Sequence, residues 1–237
     1  MKRKLPCILA TACLAVLLPS QAAAAVTLVA TDDNYVYTGD EDMNYQYDSP
    51  VFTVKNANSN DRIAYVKFDL SSVISSIDTN QDATLNLTFN QVTNAGSGDT
   101  AEFTFDALRA PSVDPGILTP NNEDWLETTV TYNTRPTGTY INLGSNYDWS
   151  YNASNVSHSI TFSNIADYIQ TDNTITIKIF GPQLGDTGNN PSFHSKDSPT
   201  EAYHPTLVLA QVPEPAAASL LLGVSVLTLI GLRRRRQ

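Results

Sequence analysis

Asn60-Asp61-Arg62-Ile63-Ala64-Tyr65-Val66-Lys67-Phe68-Asp69-Leu70-Ser71 is the stretch that decides the fold. From Ile63 to Phe68 it alternates. Ile63, Tyr65 and Lys67 fall on one face and Ala64, Val66 and Phe68 on the other, which is the period of a strand and not of a helix. Phe68 and Leu70 face one way, and Asp69 is placed to cap the turn at Ser71-Ser72. Working outward, Leu85, Leu87 and Phe89 line one face of another strand, with Asn86, Thr88 and Asn90 opposite. Phe103 and Phe105 repeat the pattern, as do Ile175, Ile177 and Ile179. Further strands are expected at 26–30, 35–37, 51–55 and 206–209, and one short helical turn at 164–170, with Ile165, Tyr168 and Ile169 on one side. Clusters of Asn, Asp, Ser, Thr and Gly punctuate these runs. No internal repeat or second domain is visible. The spacing predicts an all-β chain folded as an antiparallel jelly-roll β-sandwich.

The two ends follow different rules. Met1-Lys2-Arg3-Lys4 is a basic start and residues 5–18 are apolar. Ala22 to Ala25 then supply small-residue cleavage sites, so 1–25 reads as a secretory signal peptide. Both cysteines, Cys7 and Cys13, leave with it, and the domain at 26–211 has no disulfide chemistry. Residues 212–237 form a tail in three parts: Pro213-Glu214-Pro215, an uncharged apolar run at 216–232, and Arg233-Arg234-Arg235-Arg236. As a helix the run is about 26 Å long, enough for a short membrane span, and the arginines hold its end in the cytoplasm. Everything before Pro213 then lies across the membrane.

That tail resembles the PEP-CTERM sorting signal of Gram-negative bacteria that make extracellular polysaccharide. The resemblance implies export across the inner membrane, transient anchoring through 216–232, and recognition by an exosortase. This transpeptidase would cut near Pro213-Glu214-Pro215 and leave the domain on the cell surface or outside the cell.

The terminal segments hold seven of the 14 Lys and Arg but only one of the 24 acids. The domain is left with seven basic against 23 acidic residues. Such a surface repels nucleic acid and anionic lipid and suits a divalent cation.

Four stretches in order carry a second resemblance. They are Asn34-Tyr35-Val36 with Asn44-Tyr45; the opening stretch at 60–71; Asp124-Trp125-Leu126-Glu127-Thr128-Thr129-Val130-Thr131-Tyr132-Asn133; and Phe193-His194-Ser195-Lys196-Asp197 with Pro205-Thr206-Leu207-Val208. Together they look like the DNRLRE-type domain, a jelly roll classed among carbohydrate-binding modules, over 31–209. Tyr132 stands where that family usually has Trp, and Lys196-Asp197 where it has Arg-Glu, which removes a bidentate arginine contact. Lys196-Asp197 is placed to pair with Glu127 or Arg62.

Candidate chemistry is sparse. His158, His194 and His204 have no zinc-ligand spacing, and no Gly-x-Ser-x-Gly or phosphate loop occurs. Acid pairs such as Glu123-Asp124 are expected by chance among so many carboxylates, so the domain reads as non-enzymatic. Asp32, Asp33, Asp40 and Asp42 cluster hard oxygen ligands at strand ends, as Ca²⁺ prefers. Sugars need flat aromatic faces beside amides and hydroxyls. Tyr147, Trp149 and Tyr151 form the densest such group, followed by Tyr45 and Tyr47, all in loop-like sequence. The expected function is association with extracellular polysaccharide. The alternatives are a structural matrix protein without a specific glycan and a secreted glycan-degrading enzyme.

Overall fold

The structure, a computed structural model, describes residues 24–45, 50–57, 60–91, 100–112, 123–150, 154–181 and 191–212; at 91, 100, 101 and 145–150 it describes the backbone only. In chain order the strands are β1 (Ala25–Val29), β2 (Asp32–Tyr37), β3 (Val51–Thr53), β4 (Arg62–Asp69), β5 (Ala83–Gln91) and β6 (Thr100–Leu108). They continue as β7 (Tyr140–Ser150), β8 (Val156–Phe162), β9 (Thr174–Phe180), β10 (Ser192–His194) and β11 (Thr206–Ala210). All pairings are antiparallel. One sheet runs β1-β11-β5-β10-β3, with β8 on the other edge of β5, and the second runs β2-β4-β9-β6-β7. Two antiparallel sheets packed face to face make an all-β sandwich of jelly-roll type.

The alternating residues fill the space between the sheets. Ala64, Val66 and Phe68 of β4 meet Leu85, Leu87 and Phe89 of β5, with Phe103, Phe105, Ile175, Ile177 and Ile179 in the same cluster. Leu70 joins them, and Ser71 donates its backbone N–H to Asp69 Oδ1 at 2.8 Å, closing the turn as its sequence requires. A short 3-10 turn at Ile165–Asp167 plugs the end, where Ile165 and Tyr168 are buried and Ile169 packs alongside.

β4 differs from a half-solvated strand in one respect: its other face is buried too. Ile63 and Tyr65 form a second cluster with Val36, Trp125 and Val130, because the segment leading from β6 to β7 lies across the outside of the second sheet.

Three strands depart from the sequence expectation. β7 runs through Gly144-Ser145-Asn146, which has turn composition. Gly144 adopts φ 145°, a conformation that L side chains rarely take, and the register with β6 shifts there. The glycine thus makes a β-bulge that carries the strand through residues of turn-forming composition and on into the stretch expected to be loop-like. β8 pairs with β5 along its length, although only Val156, Ile160 and Phe162 give it apolar alternation. β10 has three residues, too few for a period to show, yet it pairs with both β3 and β5. Among the described residues no helix is long and apolar enough to cross a membrane; residues 1–23 and 213–237, on which the expected signal peptide and membrane span fall, lie outside them.

Candidate functional site

The four stretches that carry the family resemblance converge on one place, the underside of the Trp125–Val130 segment. Trp125 packs edge-on against Tyr65 with ring centroids 6.1 Å apart, and its indole N–H donates to Thr176 Oγ1 at 3.1 Å. Lys67 donates to the Trp125 carbonyl and forms an ion pair with Asp32 at 3.2 Å, while Asp32 Oδ1 accepts the Glu127 backbone N–H at 3.1 Å. The Glu127 carbonyl receives the side-chain amides of Asn34 (3.0 Å) and Asn44 (2.7 Å), and Asn44 also reaches the Val130 carbonyl at 2.7 Å. A segment without secondary structure of its own thus has its backbone groups paired by side chains from β2, β4 and the loop after β2.

The Glu127 side chain turns the other way, into a group of charges. Lys196 Nζ lies 2.7 Å from Glu127 Oε2 and 3.0 Å from Asp197. The Lys196 backbone N–H donates to Asp33 Oδ2 at 2.6 Å. Asp33, Glu127 and Asp197 offer carboxylate oxygens all within 4.8 Å of one another. They border a cavity of about 10 Å³, room for one water-sized particle, together with Asn34, Tyr45 and Ser195. Burial, reinforced by the Glu127 charge and opposed by the Lys196 N–H, pushes the Asp33 carboxyl up to about 8. Burial also raises Glu127 against the pull of Lys196. Asp197 is held below the usual carboxylate range, its burial outweighed by hydrogen bonds from Lys196 and Glu127. Lys196 is raised by both carboxylates in spite of burial. One ammonium among three carboxyls leaves an excess of negative charge that a proton on Asp33 reduces. These three acids are also the described residues best arranged to hold a hard cation, in which case Lys196 would be its competitor.

The four acids expected from sequence to bind calcium do not share a site. Asp32 and Asp33 are successive residues of β2 and point to opposite faces, the first to Lys67 and the second to Lys196. Asp42 accepts from Asn133 Nδ2 at 2.9 Å, and Asp40 stands in the turn after β2. Only Asp33 belongs to the three-acid group; Glu127 was expected from sequence as a charge partner of Lys196-Asp197, but neither Glu127 nor Asp197 was expected beside Asp33. Of the aromatic candidates, Tyr45 is half-buried and stacked on Tyr35 at 4.7 Å. Tyr147 and Trp149 lie in β7, not in a loop, opposite Phe103 and Ala101 of β6. Their side chains, and Tyr47 and Tyr151 altogether, lie outside the described residues, as do Pro213, Glu214, Pro215 and Arg233 to Arg236.

A larger cleft opens between β7 and β8, the outer strands of the two sheets on that side. It encloses about 320 Å³ and is lined by Asp82, Asn142, Leu143, Thr161, Phe162, Ser163 and Tyr168. A third arrangement has the order of a hydrolytic relay: Ser198 Oγ lies 3.3 Å from His194 Nδ1, and His194 Nε2 lies 2.8 Å from Asn155 Oδ1. Ser198 is only 5% exposed and borders neither cavity, so these contacts tie β10 to its neighbours and do not present a nucleophile.

No curated protein matches the chain. Solved structures similar to it include the CBM22-1 xylan-binding domain of Paenibacillus barcinonensis Xyn10C, 8% identical over 81% of this chain and 98% of that one, with a TM-score of 0.34. The CBM22-1–GH10 modules of Clostridium thermocellum xylanase 10B, complexed with xylohexaose, are 9% identical over 81% of this chain and 30% of theirs, with a TM-score of 0.35. At these scores neither bears on what this chain binds. The model of carbohydrate-binding module family 96 matches residues 24–211, which is the whole sandwich from the strand that opens it to the strand that closes it. The chain therefore belongs to carbohydrate-binding module family 96.

Proposed function

We propose that this protein is an exported, non-enzymatic module that associates with extracellular polysaccharide at the surface of a Gram-negative cell or outside it. The observation that carries the reading is the family match across 24–211. The burial of Trp125 and Glu127 agrees with it, since the signature residues serve the scaffold and leave recognition to other positions. In this proposal Tyr147 and Trp149 near the end of β7, together with Tyr151 just beyond them in sequence, stack on sugar rings. Calcium is the proposed ion, bridging the acidic domain to an anionic chain or seated among carboxylates. The tail at 213–237 is proposed to be cut by an exosortase after crossing the inner membrane through 216–232.

A protein spanning 24–212 is the right test piece. Gln211 donates its backbone N–H to the Ala24 carbonyl at 2.7 Å and Val212 to Ser76 at 2.8 Å, so both ends are part of the sandwich. On a glycan array, with and without calcium, it should be retained by at least one polysaccharide and release no reducing ends. Trp149→Ala should weaken that retention about thirtyfold, as loss of a stacking aromatic does. Retention by no glycan would return the protein to a purely structural matrix role, and reducing-end release would make it an enzyme.

A further inference from the structure

We propose that the cleft between β7 and β8 is a second binding site, which takes an uncharged saccharide unit; the inference rests on the polysaccharide-binding reading and assigns it a location apart from the aromatic end of β7. The cleft's volume of about 320 Å³ lies within the range of small-ligand sites, roughly 300–1,000 Å³. Its lining has the two textures that a pyranose needs. Leu143, Phe162 and Tyr168 make a buried apolar floor, the two rings meeting edge to face at 5.8 Å, against which the C–H face of a sugar can lie. Asp82, Asn142, Thr161 and Ser163 form a polar rim of carboxylate, amide and hydroxyls. Sugar hydroxyls both donate and accept, and so does this set.

The site is also built in advance. Asn142 is fixed at both ends of its amide, donating from Nδ2 to Asp106 at 3.0 Å and accepting the Gly144 N–H at 3.0 Å. The β7 bulge at Gly144 therefore sets the cleft wall, which lowers the cost of ordering it on binding. The Tyr168 hydroxyl donates no hydrogen bond to a described residue. Burial raises its pKa, so the group stays protonated and available to a ligand.

Charge selects the ligand class. Among the described residues, the one ionisable side chain on the rim is the Asp82 carboxylate, and no lysine or arginine lines the cleft. A uronate or sulfated sugar would meet the Asp82 carboxylate and the Asp167 charge that reaches Tyr168, offset only by the one Arg109 charge felt there, whereas a neutral one meets acceptors for its hydroxyls. Asn142 and Trp149 pair with Asp106 and Ala101 of β6, which are five residues or about 17 Å apart at roughly 3.3 Å per residue, so one site can be altered without touching the other.

The test uses the 24–212 protein with hydroxyethylcellulose, glucomannan and xyloglucan as neutral probes and polygalacturonate as the anionic one, by affinity electrophoresis. Ser163→Trp fills the cleft from an exposed position, and Tyr168→Phe removes one hydroxyl while keeping the ring. The first should weaken binding to the recognised neutral probe at least tenfold and the second threefold or more. Mapping a neutral oligosaccharide on the unmodified protein by amide chemical shifts guards against a variant that merely unfolds. The perturbed amides should centre on 142–144 and 161–168. Perturbations elsewhere, or undiminished binding by folded variants, overturn the cleft assignment and leave the broader reading standing. Failure of the unmodified protein to bind any probe, neutral or anionic, overturns that reading and the cleft with it.

Discussion

Replacing Asp33 by Asn should remove a pH dependence of stability that the native domain shows above neutrality. Asp33 is 3% exposed and faces Glu127, Lys196 and Asp197, with burial the main cause of its raised pKa. Its carboxyl moves from 3.8 when unfolded to about 8 when folded. The folded state therefore holds the proton more tightly. The resulting stabilisation is complete below 3.8 and is lost as pH rises through about 8. At pH 7, one unit below the folded value, the protonated form leads about tenfold, which is worth about 1.4 kcal/mol; by pH 9 almost none remains. In a domain of this size that loss lowers the melting temperature by about 3–6 °C.

Two groups near Asp33 keep one charge state across this window. His194 is lowered by burial and is neutral throughout, and Lys196 is raised and stays charged. Urea titrations at pH 7 and 9 on both proteins measure the effect. The native domain should lose about 1.4 kcal/mol across the window and Asp33→Asn close to none of it. Parallel losses in the two proteins, or a flat native profile, would refute the argument, because Asp33 would then already be ionised at pH 7 against Lys196.

Trp125→Ala should cost about 4 kcal/mol in urea unfolding, since it empties the outer cluster beside Tyr65 and strands the Thr176 hydroxyl. Lys196→Met leaves Asp33, Glu127 and Asp197 without their ammonium. Millimolar calcium should therefore raise the melting temperature of that variant more than that of the native domain, and equal shifts would place calcium elsewhere. Intact mass of the protein recovered outside cells should show loss of the signal near Ala25 and of the tail near Pro213. A secreted form that keeps Arg233 to Arg236 would disprove the sorting proposal.

The sandwich was legible wherever one face of a strand is buried and the other is not. Leu85, Leu87 and Phe89 alternate with polar residues and proved to be core. The reading weakened where local composition and tertiary context disagree. Gly144-Ser145-Asn146 carries turn residues, but a bulge absorbs them and β6 supplies the partner that makes a strand of β7. Asp32-Asp33 shows why the cluster of acids was harder still. Two adjacent acids look like a pair in sequence, yet a strand sends them to opposite faces, and the real neighbours of Asp33 lie far along the chain at Glu127 and Asp197. Proximity of that kind is decided by strand pairing and leaves no spacing to find.

The convergence of the signature residues changes what substitutions within them mean. Lys196 replaces the arginine of the resembling family, and the structure shows it spanning Glu127 and Asp197 with its side chain while its backbone N–H serves Asp33. The backbone donor is indifferent to the side chain, so the contact to Asp33 survives the exchange. A guanidinium would hold two of the three acids through paired donors, whereas an ammonium acts as a point charge. Both carry a single positive charge, so lysine gives up the paired geometry and not the charge, and the raised carboxyl of Asp33 follows chiefly from its burial. Lys196→Arg should accordingly steady the 125–130 segment without altering glycan retention, because Trp125 and Glu127 face the sheet and the charge group, not the cleft at β7 and β8. A change in glycan preference on that substitution would show that the buried cluster takes part in recognition.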